Sequence, residues 1–295
     1  MKLELPLLNE QALRVVHGRG HCIKGAESFN IEWLPPIMLI VAYAPLTKEI
    51  TTQLVDQLKE QPLVEGIFLQ QRDQAMAPVN HLWGIEQTPS EVTEFGLRYK
   101  IEVGTHQNFG LFLDMAKGRE WVKQHSQDKQ VLNLFSYTCG FAVAAIAGGA
   151  KSVVNIDMSK AALSVGRDSL RLNQLDDKKA RFFGHDLFKS WGKLRKHGPY
   201  DLVIADPPSM QKGSFLVEKD YPRIIRQLPS LLTEDGIAML CLNAPWLSRA
   251  FILDVIAEET PQLQLVETLE RPALVLEKSR DDGLKVLIFK NHSLK

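Results

Sequence analysis

Val131-Leu-Asn-Leu-Phe-Ser-Tyr-Thr-Cys-Gly-Phe141 is an apolar run that stops in small polar residues and restarts as Ala142-Val-Ala-Ala-Ile146. The pattern predicts a buried strand, a tight loop and the start of a helix, the place where open α/β sheets hold a ligand. The loop has a single glycine, Gly140, and lacks the G-x-G-x-x-G that brings backbone against a pyrophosphate. A nicotinamide dinucleotide therefore fits poorly. A ligand without phosphates, seated on Ser136, Tyr137 and Thr138, fits better.

Downstream, apolar strands and helical stretches alternate. Ser152–Asp157 precedes a helix over Lys160–Asn173, and Ala180–Gly184 precedes Asp186 and a helix to about His197. Tyr200–Ala205 runs into Asp206-Pro-Pro-Ser209, with a helix expected over Tyr221–Leu232. Gly236–Leu242 then leads to a helix over Ser248–Thr260, and Leu263–Glu267 and Leu284–Phe289 close the series. This alternation predicts a doubly wound parallel sheet. No helix separates the last two strands, so one of them should run antiparallel.

Upstream, Pro36–Tyr43 and Val64–Gln70 read as strands flanking a helix over Lys48–Glu60, with Leu54 and Leu58 on one face. Residues 1–99 are thus expected to form a small α/β domain, either gripping substrate or capping a sheet edge. Residues 100–129 read as a connecting hairpin and helix, in which Thr105–Asp114 is either a linker or a loop over a pocket. Residues 130–295 form the main domain. At 295 residues with 45% hydrophobic and 24% charged side chains, the chain can bury a sizeable core. Its 35 basic and 35 acidic residues give no bulk steering toward nucleic acid. The start is not a signal peptide, the apolar run Trp33–Ala44 is too short for a membrane span, and three scattered cysteines suit reduced thiols; a cytoplasmic protein is expected.

Asp157, Asp186 and Asp206 fall at the carboxyl ends of consecutive strands, so they should converge on one crevice. Asp157 lies about 24 residues beyond Asn133, near the spacing at which an acid reaches a ribose hydroxyl. Asp186 is placed to accept from an exocyclic amine. Asp157 and Asp186 each precede a helix, and capping is the plain alternative for either. In Asp206-Pro207-Pro208-Ser209 two prolines fix φ and remove two amide donors, leaving rigid carbonyls beside a carboxylate that could hold a planar amine. A strand-ending turn is the plain alternative.

Leu134-Phe-Ser-Tyr-Thr-Cys-Gly-Phe141, Asp157, Asp186, Asp206-Pro-Pro208 and Gly110-Leu-Phe-Leu-Asp114 together resemble the class I S-adenosylmethionine-dependent methyltransferases, more narrowly the bacterial enzymes that methylate bases of 23S ribosomal RNA. The resemblance covers residues 95 to 290 and implies a Rossmann-like, seven-stranded doubly wound sheet. It implies S-adenosyl-L-methionine as cofactor, with Phe135, Ser136, Tyr137, Thr138, Gly140 and Phe141 around its methionine part. Asp157 and Met158 would then lie at the ribose, Asp186 and Leu187 at the adenine, and Asp206 beside the reacting methyl. It also implies large-subunit ribosomal RNA as partner; relatives often carry an RNA-binding module of the PUA type, for which no stretch is found here. Cys139 replaces the first glycine of the family's Gly-Gly. Met115-Ala116 replaces a glutamine-arginine or histidine-arginine pair, leaving Arg119 as the only nearby substitute.

Relatives that methylate cytosine C5 need an attacking thiolate. An ungapped comparison puts Asn243 at its place, with Cys241 two residues earlier as either a slipped nucleophile or a core thiol. Nitrogen methylation, on guanine, is therefore expected, with Asp206, Pro207, Pro208 and Ser209 in the catalytic loop and Lys212 and Asn243 toward the substrate. Cytosine C5 methylation through Cys241, a protein or small-molecule acceptor, and a non-catalytic cofactor-binding protein are the alternatives. Basic residues at 178–181 and 189–197 could contact phosphate or simply face solvent. No histidine has metal-ligand spacing to a partner, and no metal is expected.

Overall fold

The computed structural model describes residues 2–211 and 215–292. The chain divides into two compact units, Met1–Ala116 with Pro272–Lys278, and Lys117–Arg271 with Ser279–Lys295.

In the first unit, β1 (Leu13–His17), β2 (Phe29–Leu34), β3 (Ile37–Ala42), α1 (Lys48–Leu58), β4 (Gly66–Gln71) and β5 (Val79–Gly84) build a five-stranded sheet in the order β1-β2-β3-β4-β5. Only β3 and β4 are parallel neighbours, because α1 carries the chain back between them. Thr47 caps α1 by accepting from Ile50 N at 3.3 Å, and Leu54 and Leu58 are its buried face. β2 and β3 are buried along their whole length, which is why Pro36–Tyr43 reads as one apolar run. A hairpin, β6 (Glu91–Glu94) and β7 (Leu97–Lys100), turns at Phe95 and Gly96, both with positive φ. That two-residue geometry suits glycine at its second position and matches strand twist.

The second unit follows α2 (Ala116–His125) with β8 (Gln130–Leu134), α3 (Gly140–Ala147), β9 (Ser152–Asp157), α4 (Lys160–Leu172), β10 (Ala180–Gly184), α5 (Trp191–Arg195) and β11 (Tyr200–Ala205). After a short pair, β12 (Met210–Gln211) and β13 (Phe215–Leu216), come α6 (Val217–Ile225), α7 (Leu228–Leu231), β14 (Leu232–Leu242), α8 (Ala250–Glu259), β15 (Leu263–Leu269) and β16 (Lys285–Asn291). The seven-stranded order is β10-β9-β8-β11-β14-β16-β15, with β16 antiparallel to both its neighbours. The doubly wound sheet and its single reversed strand are as expected. From β8 the chain winds outward to β10, and from β11 it winds the other way, so the switch point lies between β8 and β11.

Alternate residues of these strands face opposite layers. Leu132, Leu134, Val154, Ile156, Val203 and Ala205 join one core with Leu194, Tyr221, Ile224, Leu231, Ile252 and Ile256 of α5 to α8. α3 and α4 pack on β8 to β10 outside that core. There Asn133 Nδ2 donates to Asn155 Oδ1 at 3.0 Å and Asn155 Nδ2 to Arg181 O at 3.3 Å, an amide row through the buried sheet.

Two expected helices differ. Asp186 to His197 is a 3-10 turn, Leu187–Lys189, followed by the short α5, since Gly198-Pro199 ends it. Tyr221–Leu232 is α6 and α7, because Pro229 lacks an amide and pre-sets φ for a fresh helix start. Among the described residues no helix is long and apolar enough to cross a membrane.

Candidate functional site

The loop after β8 carries three non-glycine residues at positive φ, Phe135 (54°), Tyr137 (47°) and Cys139 (59°). Each costs roughly 1 kcal/mol or more. Hydrogen bonds hold the loop there. Ser136 N donates to Ile156 O at 3.1 Å and Cys139 N to Ser136 O at 2.7 Å. Tyr137 N donates to Asp157 Oδ2 at 2.9 Å, while Ser159 N reaches Asp157 Oδ1 at 2.8 Å. The one carboxylate therefore fixes both the loop and the entry to α4. Ser136 Oγ is buried and, apart from the neighbouring Cys139 thiol, has no hydrogen-bond partner.

Cys139, buried at the head of α3, fills the space that Gly166 of α4 leaves. A Cβ on Gly166 would stand 2.6 Å from Cys139 Cβ and 2.7 Å from its Sγ. Gly166→Ala is thus expected to cost roughly 1–3 kcal/mol by overpacking, and to lose most of that cost in a Cys139→Gly background. Urea unfolding of the four proteins of this cycle measures it; additive effects would disprove the coupling. Burial pushes the Cys139 thiol up to about 12.

Beside this loop a cavity of about 730 Å³ is lined by Phe135, Asp157, Met158, Asp186 and Leu187, five of the residues expected at a cofactor. Asp186 accepts from Phe188 N at 2.9 Å and lies 3.5 Å from Lys189 Nζ. The acids at 157 and 186 thus do cap local turns, and they also line the cavity. Phe188 and Phe215, which sequence reasoning missed, are also in the lining, together with the cations Lys189 and Arg223. Phe215 sits edge-on to Phe135 at 5.2 Å between ring centres, and the Arg223 guanidinium lies 4.2 Å from the Phe188 centroid. Ser136, Tyr137, Thr138, Gly140 and Phe141 belong to the supporting loop and α3 and do not line the cavity.

Asp206, Pro207, Pro208 and Ser209 follow β11, outside the cavity lining. Ser209 Oγ donates to Asn243 O, tying the loop after β11 to the end of β14. Beneath them Tyr221 Oη donates to Ala205 O at 3.2 Å and Cys241 O at 2.9 Å. Burial, the neighbouring Cys241 and the Asp206 charge push the Tyr221 phenol well up. Burial first, then Asp206, does the same to the Cys241 thiol, which is wholly enclosed on β14 and paired opposite Val286. Asn243 is exposed; Lys212 lies outside the described residues.

Two further residues shape this rim. Lys285, buried at the start of β16, donates from Nζ to Ala244 O, Leu247 O and Asp281 O at 2.8–2.9 Å, fastening the loop after β14. Trp246, 57% exposed on that loop, is pinned by its Nε1 to Glu218 Oε1 at 2.7 Å. A lysine inside an apolar strand was the only signal for the first. Arg119, the substitute suggested by sequence, is buried, and Asp114 meets Arg14 Nη1 at 3.2 Å. Among the described residues no cluster of three or more histidine, cysteine or acidic side chains could hold a metal ion.

A model of S-adenosylmethionine-dependent methyltransferases matches residues 13–290. The chain is 33% identical over 190 residues to ribosomal RNA large subunit methyltransferase I of Erwinia tasmaniensis, covering 62% of this chain and 48% of that protein. It is 31% identical over 232 residues to ribosomal RNA large subunit methyltransferase K/L of Hahella chejuensis, covering 72% of this chain and 31% of that protein. The chain therefore spans about half or less of these relatives' length. A solved methyltransferase carrying S-adenosylhomocysteine superposes with a TM-score of 0.84 at 26% identity, covering 95% of this chain and 75% of that one.

Proposed function

The chain belongs to the S-adenosylmethionine-dependent methyltransferase family, and from this we propose that it methylates a base nitrogen of large-subunit ribosomal RNA, guanine before other bases, in the cytoplasm. The observation that carries the reading is the cavity at the carboxyl ends of β8, β9 and β10, beside the switch point, with Asp157 and Asp186 at strand ends and no glycine-rich phosphate cradle. Its volume is that of a small-molecule site. Two acids and an aromatic wall suit a cofactor with ribose hydroxyls, an adenine amine and a cationic sulfonium.

In this reading Phe135, Ser136, Tyr137, Thr138, Gly140 and Phe141 hold the methionine part, Asp157 and Met158 the ribose, and Asp186 and Leu187 the adenine. The bound cofactor supplies an electrophilic methyl group on a sulfonium. Asp206 and the carbonyls of Pro207 and Pro208 would hold the acceptor base and orient its nitrogen lone pair toward the methyl group that the cofactor would supply. Ser209 acts by tying this loop to Asn243. Alignment of the two partners is the main catalytic contribution. Asn243 is assigned to the RNA, as is Lys212 by its place in the sequence.

Nitrogen methylation needs no enzyme nucleophile, and the enclosed, hard-to-ionise Cys241 is a poor one. Cys241→Ala is accordingly expected to retain methyl transfer within about threefold, with roughly 1 kcal/mol of stability lost to the cavity. A cytosine C5 enzyme would lose all activity. The direct test is nucleoside mass spectrometry after incubating the protein with isotopically labelled S-adenosylmethionine and ribosomal RNA from a strain lacking it. Labelled methylguanosine is the expected product. Labelled 5-methylcytidine, or no labelled nucleoside at all, overturns the proposal, the latter turning attention to protein or small-molecule acceptors.

A further inference from the structure

β1 is antiparallel to β2 and β2 to β3, so β1, β3 and β4 all point the same way. The residues just beyond their carboxyl ends form one cluster in the N-terminal unit: Arg19 after β1, Tyr43 after β3 and Arg72 after β4. The Arg19 guanidinium lies 4.3 Å from the Tyr43 ring centre and that of Arg72 lies 5.5 Å from it. Two cations share a single aromatic ring.

The cluster is built on buried polar side chains. Asn30, 1% exposed, accepts from Arg19 N at 3.4 Å through Oδ1 and donates from Nδ2 to Tyr43 Oη at 3.5 Å. Gln70, 2% exposed, accepts from Arg72 Nε at 3.2 Å, and Arg72 Nη2 donates to Gln107 O at 2.8 Å. These supports are all neutral. The neighbouring Arg14 is answered by Glu32 and Asp114, whereas among the described residues neither Arg19 nor Arg72 has an acid within ion-pair distance. Two oriented, uncompensated guanidiniums at one point repel each other, and an anion placed between them removes that cost. Guanidinium forks match phosphate oxygens in geometry.

We propose that Arg19 and Arg72, stacked on Tyr43, bind a backbone phosphate of the RNA substrate. The inference rests on the RNA reading above and gives the N-terminal unit a part in gripping that substrate. Phosphate contacts of this kind position RNA without reading its sequence.

The test measures binding of fluorescein-labelled large-subunit ribosomal RNA fragments by anisotropy across a salt series. For R19A/R72A the slope of log affinity against log salt is expected to fall by roughly 0.7–0.9, and affinity at ~0.1 M salt by roughly 5- to 8-fold. R19K/R72K should restore most of the slope, which a merely structural role would not. Arg19 is exposed, so R19E provides a variant whose folding is not at issue, and it should weaken binding more than R19A. Wild-type slope and affinity in R19A/R72A and R19E, with RNA binding intact in the unaltered protein, overturn this inference alone. An unaltered protein that shows no salt-dependent RNA binding overturns the RNA reading and the inference with it.

Discussion

Asp206→Ala is expected to lower kcat for RNA methylation by roughly 10²–10³-fold, while affinity for S-adenosylmethionine changes less than about tenfold. The carboxylate stands at the carboxyl end of β11, one strand from β8, on a backbone stiffened by two prolines. Its charge reaches both Tyr221 in the middle of α6 and Cys241 near the end of β14, so it lies close to both elements. If it holds the acceptor amine, its loss frees the base to tilt away from the methyl group, and misplacement by an ångström is enough to account for the lower figure. Asp206→Asn keeps one carbonyl acceptor and should lose only about tenfold. Single-turnover kinetics with calorimetry separates the steps. A rise in KM with kcat unchanged would place Asp206 in binding and not at the reacting nitrogen.

Asp157→Ala is expected to weaken cofactor binding by about 10²-fold or more and to destabilise the second unit by roughly 2–4 kcal/mol. The second figure follows from the two amides, Tyr137 N and Ser159 N, that lose their acceptor together, roughly 1–3 kcal/mol for the partly buried first and about 1 kcal/mol for the exposed second. Three left-handed residues depend on that anchor, so the loop should relax toward ordinary φ once it is gone. Calorimetry with S-adenosylmethionine and thermal unfolding without it report the two effects. Unchanged unfolding would show that the Asp157 bonds do not hold the loop, and unchanged affinity would remove the acid from the cofactor site.

The parallel sheet was legible because its strands are buried on both faces and appear as unbroken apolar runs, Val131–Leu134 and Leu202–Ala205 among them. The reversed strand followed from the missing helix before Leu284. The acids were legible because strand ends are. Phe188, Phe215 and Arg223 were not, since they reach the cavity through packing between segments distant in sequence. The same holds for Lys285, whose acceptors lie up to 41 residues away. Glu91–Lys100, by contrast, advertises its hairpin by alternation around Phe95-Gly96, a local signal that the reading of residues 1–99 as one small α/β domain did not single out.

His17 Nε2 and Glu277 Oε1 meet at 3.0 Å, with both side chains more than nine-tenths buried, and Glu277 reaches the first unit within Pro272–Lys278, after most of the second has been traced. A ribosome delivers the chain from its amino end, so the sheet of the first unit waits for a segment made after most of the second unit. Its closure comes when the second unit's β8 to β14 are already available to fold. The same order forbids treating residues 1–116 as a portable cassette. Moved alone into another gene, they would carry an imidazole made to meet an acid that was left behind.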